Sequence, residues 1–328
     1  MIGFGPETLK LDAAAEVDRI GRWLRHVLAR DLRRRGLVVG MSAGIDSTVT
    51  AALCVRALGP DRVFGLLMPE RHSDGSTLQL SREAAKTFSI AYEHQEITPI
   101  LEALEFYERY NAAVRQVVPD YGPGWQSKIV AADVTSHSGF NFFTLVAQSQ
   151  DGETRRERLP LKAYLEIVAA TNFKQRIRKM LEYYHADRLN YAVAGTPNRL
   201  EYDQGFFVKN GDGSADVKPI AHLYKTQVYQ LAEYLDVPAA IRKRPPTTDT
   251  YSLAQGQDEF YFALPYQLMD LCLYGTNHGV DADIVGDACG LTADQVQRVW
   301  ADIATKRSTT RYLQLPPLVV EPISEISH

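Results

Sequence analysis

The chain has few cysteines, no long apolar run and no excess of one charge, and each lack removes a class of explanation. Cys54, Cys272 and Cys289 are the three cysteines among 328 residues. An odd number at wide spacing fits neither a disulfide framework nor a zinc or redox motif, so buried thiols in a reducing compartment are expected. No apolar stretch approaches the ~20 residues of a membrane-spanning helix. Met1 to Lys10 lack the basic-then-apolar pattern of a secretion signal. The expectation is a cytoplasmic protein with no membrane partner. The formal net charge is −4, so no global basic field points to nucleic acid. No internal repeat or low-complexity linker divides the chain. What remains, 45% hydrophobic and 23% charged, is ordinary globular composition with ample length for a large core.

Periodicity then sets the fold class. Leu11 to Arg35 reads as an amphipathic helix, with Ile20, Leu24, Val27 and Leu28 at helical spacing. Strands are expected at Leu37–Gly40, Val63–Met68, Ala91–Ile97 and Tyr191–Gly195. Helices are expected at Ser47–Leu58, Thr77–Phe88, Pro99–Arg115 and Lys162–Tyr184, and they dominate after His222. Alternation of this kind predicts an α/β fold, a doubly wound parallel sheet with helices on both faces. One stretch breaks it. Lys128–Thr135 and Phe140–Gln148 are strand-like and Asp151-Gly152 is a turn signal, so an inserted β-hairpin is expected between about Val117 and Pro160.

The most informative segment is Leu37-Val38-Val39-Gly40-Met41-Ser42-Ala43-Gly44-Ile45-Asp46-Ser47. It reads as a buried strand, a turn of small residues and the start of a helix. A turn at a helix N-terminus aims several backbone N–H groups at one point, which suits phosphate. Ser42 and Ser47 add hydroxyl donors. Asp46 would repel a bare phosphate and fits if Mg²⁺ lies between them. No Gly-Lys-Ser/Thr follows, so the segment is not a Walker loop. In a parallel sheet the loops at the C-terminal strand ends meet in one crevice. Gly195-Thr196-Pro197-Asn198-Arg199-Leu200-Glu201 would join it there, with Glu201 a second carboxylate for the metal. The glycine-rich loop Phe206 to Asp216, carrying Lys209, is long and polar enough to be functional.

The first of these segments resembles the Ser-Gly-Gly-x-Asp-Ser loop of the N-type ATP pyrophosphatases, with Ala43 in place of the first Gly. Ala43 is expected to have negative φ and space for its methyl group. Asn172-Phe173-Lys174-Gln175-Arg176-Ile177-Arg178, Gly195 to Glu201, Gly205 to Gly213 and Leu223 to Val228 follow in order, then Pro246-Thr247, Asp258-Glu259 and Lys306-Arg307. Together they resemble the NAD⁺ synthetases over about Leu11 to Pro317, apart from the insertion. The fold implied is that of the adenine nucleotide alpha hydrolases, as a single domain over 1–328. No glutaminase-like stretch is present, so the resemblance implies the ammonia-dependent form. Such enzymes are typically homodimers that bind deamido-NAD across the subunit interface.

The implied reaction activates a carboxylate with ATP, because hydroxide-like oxygen leaves poorly. The nicotinate carboxylate of deamido-NAD attacks the α-phosphorus, pyrophosphate departs, and ammonia attacks the acyl-adenylate to give NAD⁺ and AMP. By position in the family pattern, Gly40, Met41, Ser42, Ala43, Gly44, Ile45, Asp46, Ser47, Thr196, Lys225 and Thr247 would contact ATP. Arg176, Lys209, Asp216, Thr305 and Lys306 would contact deamido-NAD. Asp46 and Glu201 would hold Mg²⁺, and Asp46 and Lys209 are the catalytic candidates. Thr305-Lys306-Arg307 stands where the family usually has His-Lys-Arg, which alters one acceptor contact. An ATP-dependent amide ligase for a different carboxylate therefore stays open, as does a non-catalytic nucleotide-binding protein. A separate glutaminase that delivers ammonia would leave no mark in this sequence.

Overall fold

The computed structural model describes residues 3–131, 143–246, 250–253, 255–256, 261–262, 264–323 and 325. In chain order the first elements are α1 (Ala13–Arg30), β1 (Leu37–Gly40), α2 (Ile45–Leu58), β2 (Val63–Leu67), α3 (Thr77–Thr87) and β3 (Ala91–His94). Helices α4 (Thr98–Ala103) and α5 (Phe106–Arg115) follow, then β4 (Gln126–Val130), β5 (Thr144–Gln148) and β6 (Thr154–Arg158). The long α6 (Leu161–Leu189) leads to β7 (Ala192–Ala194) and α7 (Arg199–Gln204). Helices α8 (Lys225–Tyr234), α9 (Ala239–Arg242), α10 (Tyr266–His278), α11 (Ala282–Cys289) and α12 (Ala293–Gln314) close the chain.

The main sheet is parallel, in the order β3-β2-β1-β7. Strands β2, β1 and β7 are apolar on both sides because both faces are covered, whereas the edge strand β3 is exposed along its length. Leu37 and Val39 of β1 enter one core with Val17, Leu24, Val49 and Val228, from α1, α2 and α8. Val38, between them, enters a second core with Leu101, Val114 and Ile177, from α4, α5 and α6. Leu66 and Val193 join the second core, and Ala192 and Ala194 the first. The alternation is the two-residue period of a strand divided between two helical layers. A third cluster, including Leu200, Met269, Val285 and Val299, binds α7 to α10, α11 and α12. Among the described residues no helix is long and apolar enough to cross a membrane.

Three expectations change. The insertion is not a hairpin but a three-stranded antiparallel sheet, β4-β5-β6. Its third strand, Thr-Arg-Arg-Glu-Arg, is exposed along its whole length, so no apolar period marks it. The expected strand at Lys128–Thr135 begins earlier, at Gln126, and its last residues lie outside the described set. The expected helix Pro99–Arg115 is two helices, broken where Glu105 takes a left-handed φ of 56°.

Candidate active site

Strand β1 is followed by β2 on one side, and the chain returns on the other side as β7. The loops after β1 and β7 therefore part from each other at a topological switch point, where open α/β sheets bind ligands. A cavity of about 1060 Å³ opens there, lined by Gly40 to Ser47, Thr196, Glu201 and Lys225.

The turn after β1 is built for close approach. A Cβ on Gly40 would sit 2.7 Å from the Glu182 carboxylate oxygen, so only Gly lets α6 come this near. No side chain caps α2, which leaves its first-turn N–H groups to the cavity. Ser42 Oγ and Ser47 Oγ lie 3.2 Å apart, and Ser47 Oγ donates to Gly44 O at 3.0 Å. The backbone at Ala43 contradicts the expectation of negative φ, because it is left-handed at 56°. The methyl group fits, since Ala43 is buried, but the conformation is one that glycine adopts at lower cost.

Asp46, in the first turn of α2, is held from two sides. Its Oδ1 accepts from Asn198 Nδ2 at 3.0 Å, and its Oδ2 is ion-paired with Lys225 Nζ. Asn198 Oδ1 in turn accepts from Leu200 N and Glu201 N, and Glu201 Oε2 accepts from Asn198 N at 3.1 Å. This reciprocal cap starts α7 and carries Glu201 to the cavity. Lys225 is 2% exposed. Burial acts to lower its pKa, but the Asp46 and Glu201 carboxylates outweigh burial and leave it raised. One buried ammonium thus faces two carboxylates.

Sequence reasoning missed the residue that supports Lys225. Asp270 of α10, fully buried, accepts Lys225 N at 3.2 Å and Thr226 N at 2.7 Å, so it caps α8 from outside the helix. Nothing in the sequence pairs positions so far apart. Further along α6 the cavity-lining Lys174 forms a second buried pair: its Nζ donates to Glu70 Oε1 at 2.7 Å and to Thr250 O at 3.1 Å.

A family model for NAD synthase matches residues 16–119 and 145–311. The chain belongs to the NAD synthase family. An NH3-dependent NAD⁺ synthetase of Rhizobium meliloti is 60% identical over 323 residues, 98% of this chain and 96% of that protein. One from Mesorhizobium japonicum is 59% identical over 317 residues, 97% of this chain and 99% of that protein. The solved NMN synthetase from Francisella tularensis has a TM-score of 0.64 at 22% identity, covering 94% of this chain and 99% of that one. At that identity the likeness shows the fold alone, and the fold is the α/β one expected.

The residues expected on the acceptor side are less uniformly gathered than those around Asp46. Arg176 and Lys209 both line the cavity. Arg176 Nε donates to Lys209 O at 3.3 Å, and Lys209 Nζ donates to Tyr312 O at 2.7 Å. Asp216 turns away. Its Oδ2 accepts from Val193 N at 2.7 Å and its Oδ1 from Tyr183 at 3.3 Å, behind β7. Asp212 lines the cavity instead, its carboxyl raised by burial although it accepts Val208 N at 2.7 Å. Thr305 Oγ1 is spent on Ala301 O one turn back. Lys306 is turned inward to Tyr261 O and Asp302, with burial lowering its pKa. Neither Thr305 nor Lys306 lines this cavity. Thr247, Asp258 and Glu259 lie outside the described residues.

Proposed function

We infer that this protein is an ammonia-dependent NAD⁺ synthetase, which adenylates the nicotinate carboxylate of deamido-NAD with ATP and passes it to ammonia. The observation that carries the reading is the joining of two distant loops through Asp46, Asn198, Glu201 and Lys225 at the switch point. Near-full-length likeness to the rhizobial NH3-dependent enzymes supports the choice of acceptor and nitrogen source.

In this reading the N–H groups of Ser42 to Ser47 and the two serine hydroxyls hold the departing pyrophosphate as negative charge builds on it. Lys225, kept protonated by its carboxylate neighbours, is the fixed cation beside them. Asp46 and Glu201 would hold Mg²⁺. Two carboxylates around one buried ammonium leave one net negative charge, which suits a cation, and a magnesium triphosphate supplies the further oxygen ligands that this ion requires. When bound, Mg²⁺ contributes charge neutralisation at the phosphates. Arg176 and Lys209, on the other cavity wall, suit the diphosphate of the dinucleotide.

The homodimer belongs to the same proposal. One stripe of α6 leaves Leu161, Leu165, Met180 and Tyr184 exposed, at 71%, 54%, 57% and 61%. Arg176, a cavity residue, lies on that stripe. A second copy packed there would bury the apolar stripe and border the acceptor arm. Catalysis is placed in the cytoplasm, consistent with three free, buried cysteines.

The test is NAD⁺ formation by mass spectrometry with Mg·ATP, ammonium chloride and deamido-NAD. Product in the wild type, lost in Asp46→Asn, is the expected result. Bound ATP with no NAD⁺ would refute the acceptor and direct the search to other carboxylates, read by pyrophosphate release.

A further inference from the structure

The three-stranded insertion has no part in the chemistry above, and its first strand, β4, lies in the gap of the family match between residues 119 and 145. Its placement gives it a role. In the sheet order β4-β5-β6, one edge of β4 pairs with β5. The other edge takes a segment from far along the chain. Leu253 N donates to Ser127 O at 3.1 Å, Ser127 N donates to Ser252 Oγ at 2.9 Å, and Gln255 Nε2 donates to Ile129 O at 2.5 Å. Ser127 is itself fully buried, its hydroxyl bonded to Tyr110 at 2.8 Å and Tyr121 at 3.1 Å. The platform is therefore rigid, and Tyr251 is packed into the same core as Ile129 and Leu145.

The segment held in this way is a cavity wall. Ser252, Leu253 and Gln255 line it, together with Gln126 and Phe143 of the insertion. Helix α6 shows which end they face. Glu182 touches Gly40 in the phosphate turn. Tyr164, stacked on Phe143 at 4.6 Å, lies about 27 Å away along the helix axis at ~1.5 Å per residue. The cavity residues Leu78 and Ile241 pack into the other core, across the main sheet. That short arm beside the phosphate turn, where Leu78 and Ile241 meet Thr77, Ser81 and Arg244, suits adenine, with apolar surface for its ring and polar groups for its edge, which leaves the α6 arm to the acceptor.

We propose that the insertion is a positioning element for the acceptor: through Ser127 and Ile129 of β4 it holds Ser252, Leu253 and Gln255 as the wall of the deamido-NAD arm and leaves the ATP arm alone. The proposal rests on the functional reading given above. It is tested with Gln255→Ala and, independently, Ser252→Ala, each removing one side-chain tie to β4 and neither near the phosphate turn. Steady-state kinetics should show KM for deamido-NAD raised about tenfold, the usual scale for one lost buried hydrogen bond, with KM for ATP within about twofold of wild type. An equal rise in both KM values would overturn the proposal. So would unchanged KM values alongside a lowered melting temperature, which would make the insertion a merely structural support. If the wild type forms no NAD⁺ at all, the functional reading falls and this inference with it; an active wild type with indifferent variants sinks this inference alone.

Discussion

Asp270 should make the protein less stable as the pH rises, and Asp270→Asn should abolish that dependence. The carboxylate is fully buried in α10 and accepts two N–H groups from the first turn of α8. Burial raises its pKa from 3.8 to about 6, even against those two bonds. At ~1.36 kcal/mol per unit, a rise of roughly two units means that ionising Asp270 costs the native state about 3 kcal/mol relative to the unfolded chain. The sign follows from the acid having the higher pKa when folded. Its contribution is most favourable below about pH 4, declines as the pH rises to about 6, and is flat beyond. Between about pH 5 and about pH 7.5 the loss is about 1.4 kcal/mol. Urea titrations of wild type and Asp270→Asn at those two pH values measure it. The stability difference between the two proteins should move by that amount in favour of the variant at the higher pH. Parallel pH profiles would refute the argument. The variant should also raise KM for ATP, because an amide nitrogen turned toward Lys225 N or Thr226 N would push away the helix end that carries Lys225.

Three further outcomes follow from the same geometry. Lys225→Met leaves Asp46 and Glu201 without their ammonium and should lower kcat/KM for ATP roughly a hundred- to a thousandfold, read by pyrophosphate release, while a loss under about tenfold would remove Lys225 from phosphate handling. Ala43→Gly relieves a left-handed alanine worth ~1–2 kcal/mol but frees the unfolded chain by ~0.4–1 kcal/mol, so denaturation should show a net gain of up to about 1.6 kcal/mol, and a loss of about 1 kcal/mol would refute the account. Leu165→Glu should give a monomer in sedimentation with the fold intact by circular dichroism, whereas an unchanged mass would place any dimer contact elsewhere.

What the sequence made legible was what repeats locally. The alternation of apolar runs with helical periods is visible without a structure, and the turn from Gly40 to Ser47 declares itself through small residues between a strand and a helix. That the loops after the first and last parallel strands share one crevice followed from the alternation; the strand order that makes the crevice a switch point is visible only in the structure. Three things were hidden for physical reasons. Strand β6 is exposed on both faces, so burial left no period in its composition. The break at Glu105 depends on one left-handed residue with no glycine to announce it. The tie between Asp270 and Lys225 spans two helices, and a carboxylate on a helix with no neighbouring signal reads as a solvated face. Ala43 shows the reverse case: the substitution was visible, but the φ it must adopt was decided by the packing around it.

Asn198 limits what can vary at the heart of the site. One end of its amide receives two backbone donors of α7, and the other end gives a proton to Asp46. Aspartate could cap the helix as well, yet it would set two anions face to face. Serine is too short to span both tasks, and glutamine carries one methylene more than the gap accepts. Alanine would free the two loops from each other, so Asp46 and Glu201 would no longer share a common frame. A mutational scan of position 198 should therefore tolerate almost nothing, although the residue touches no reacting atom.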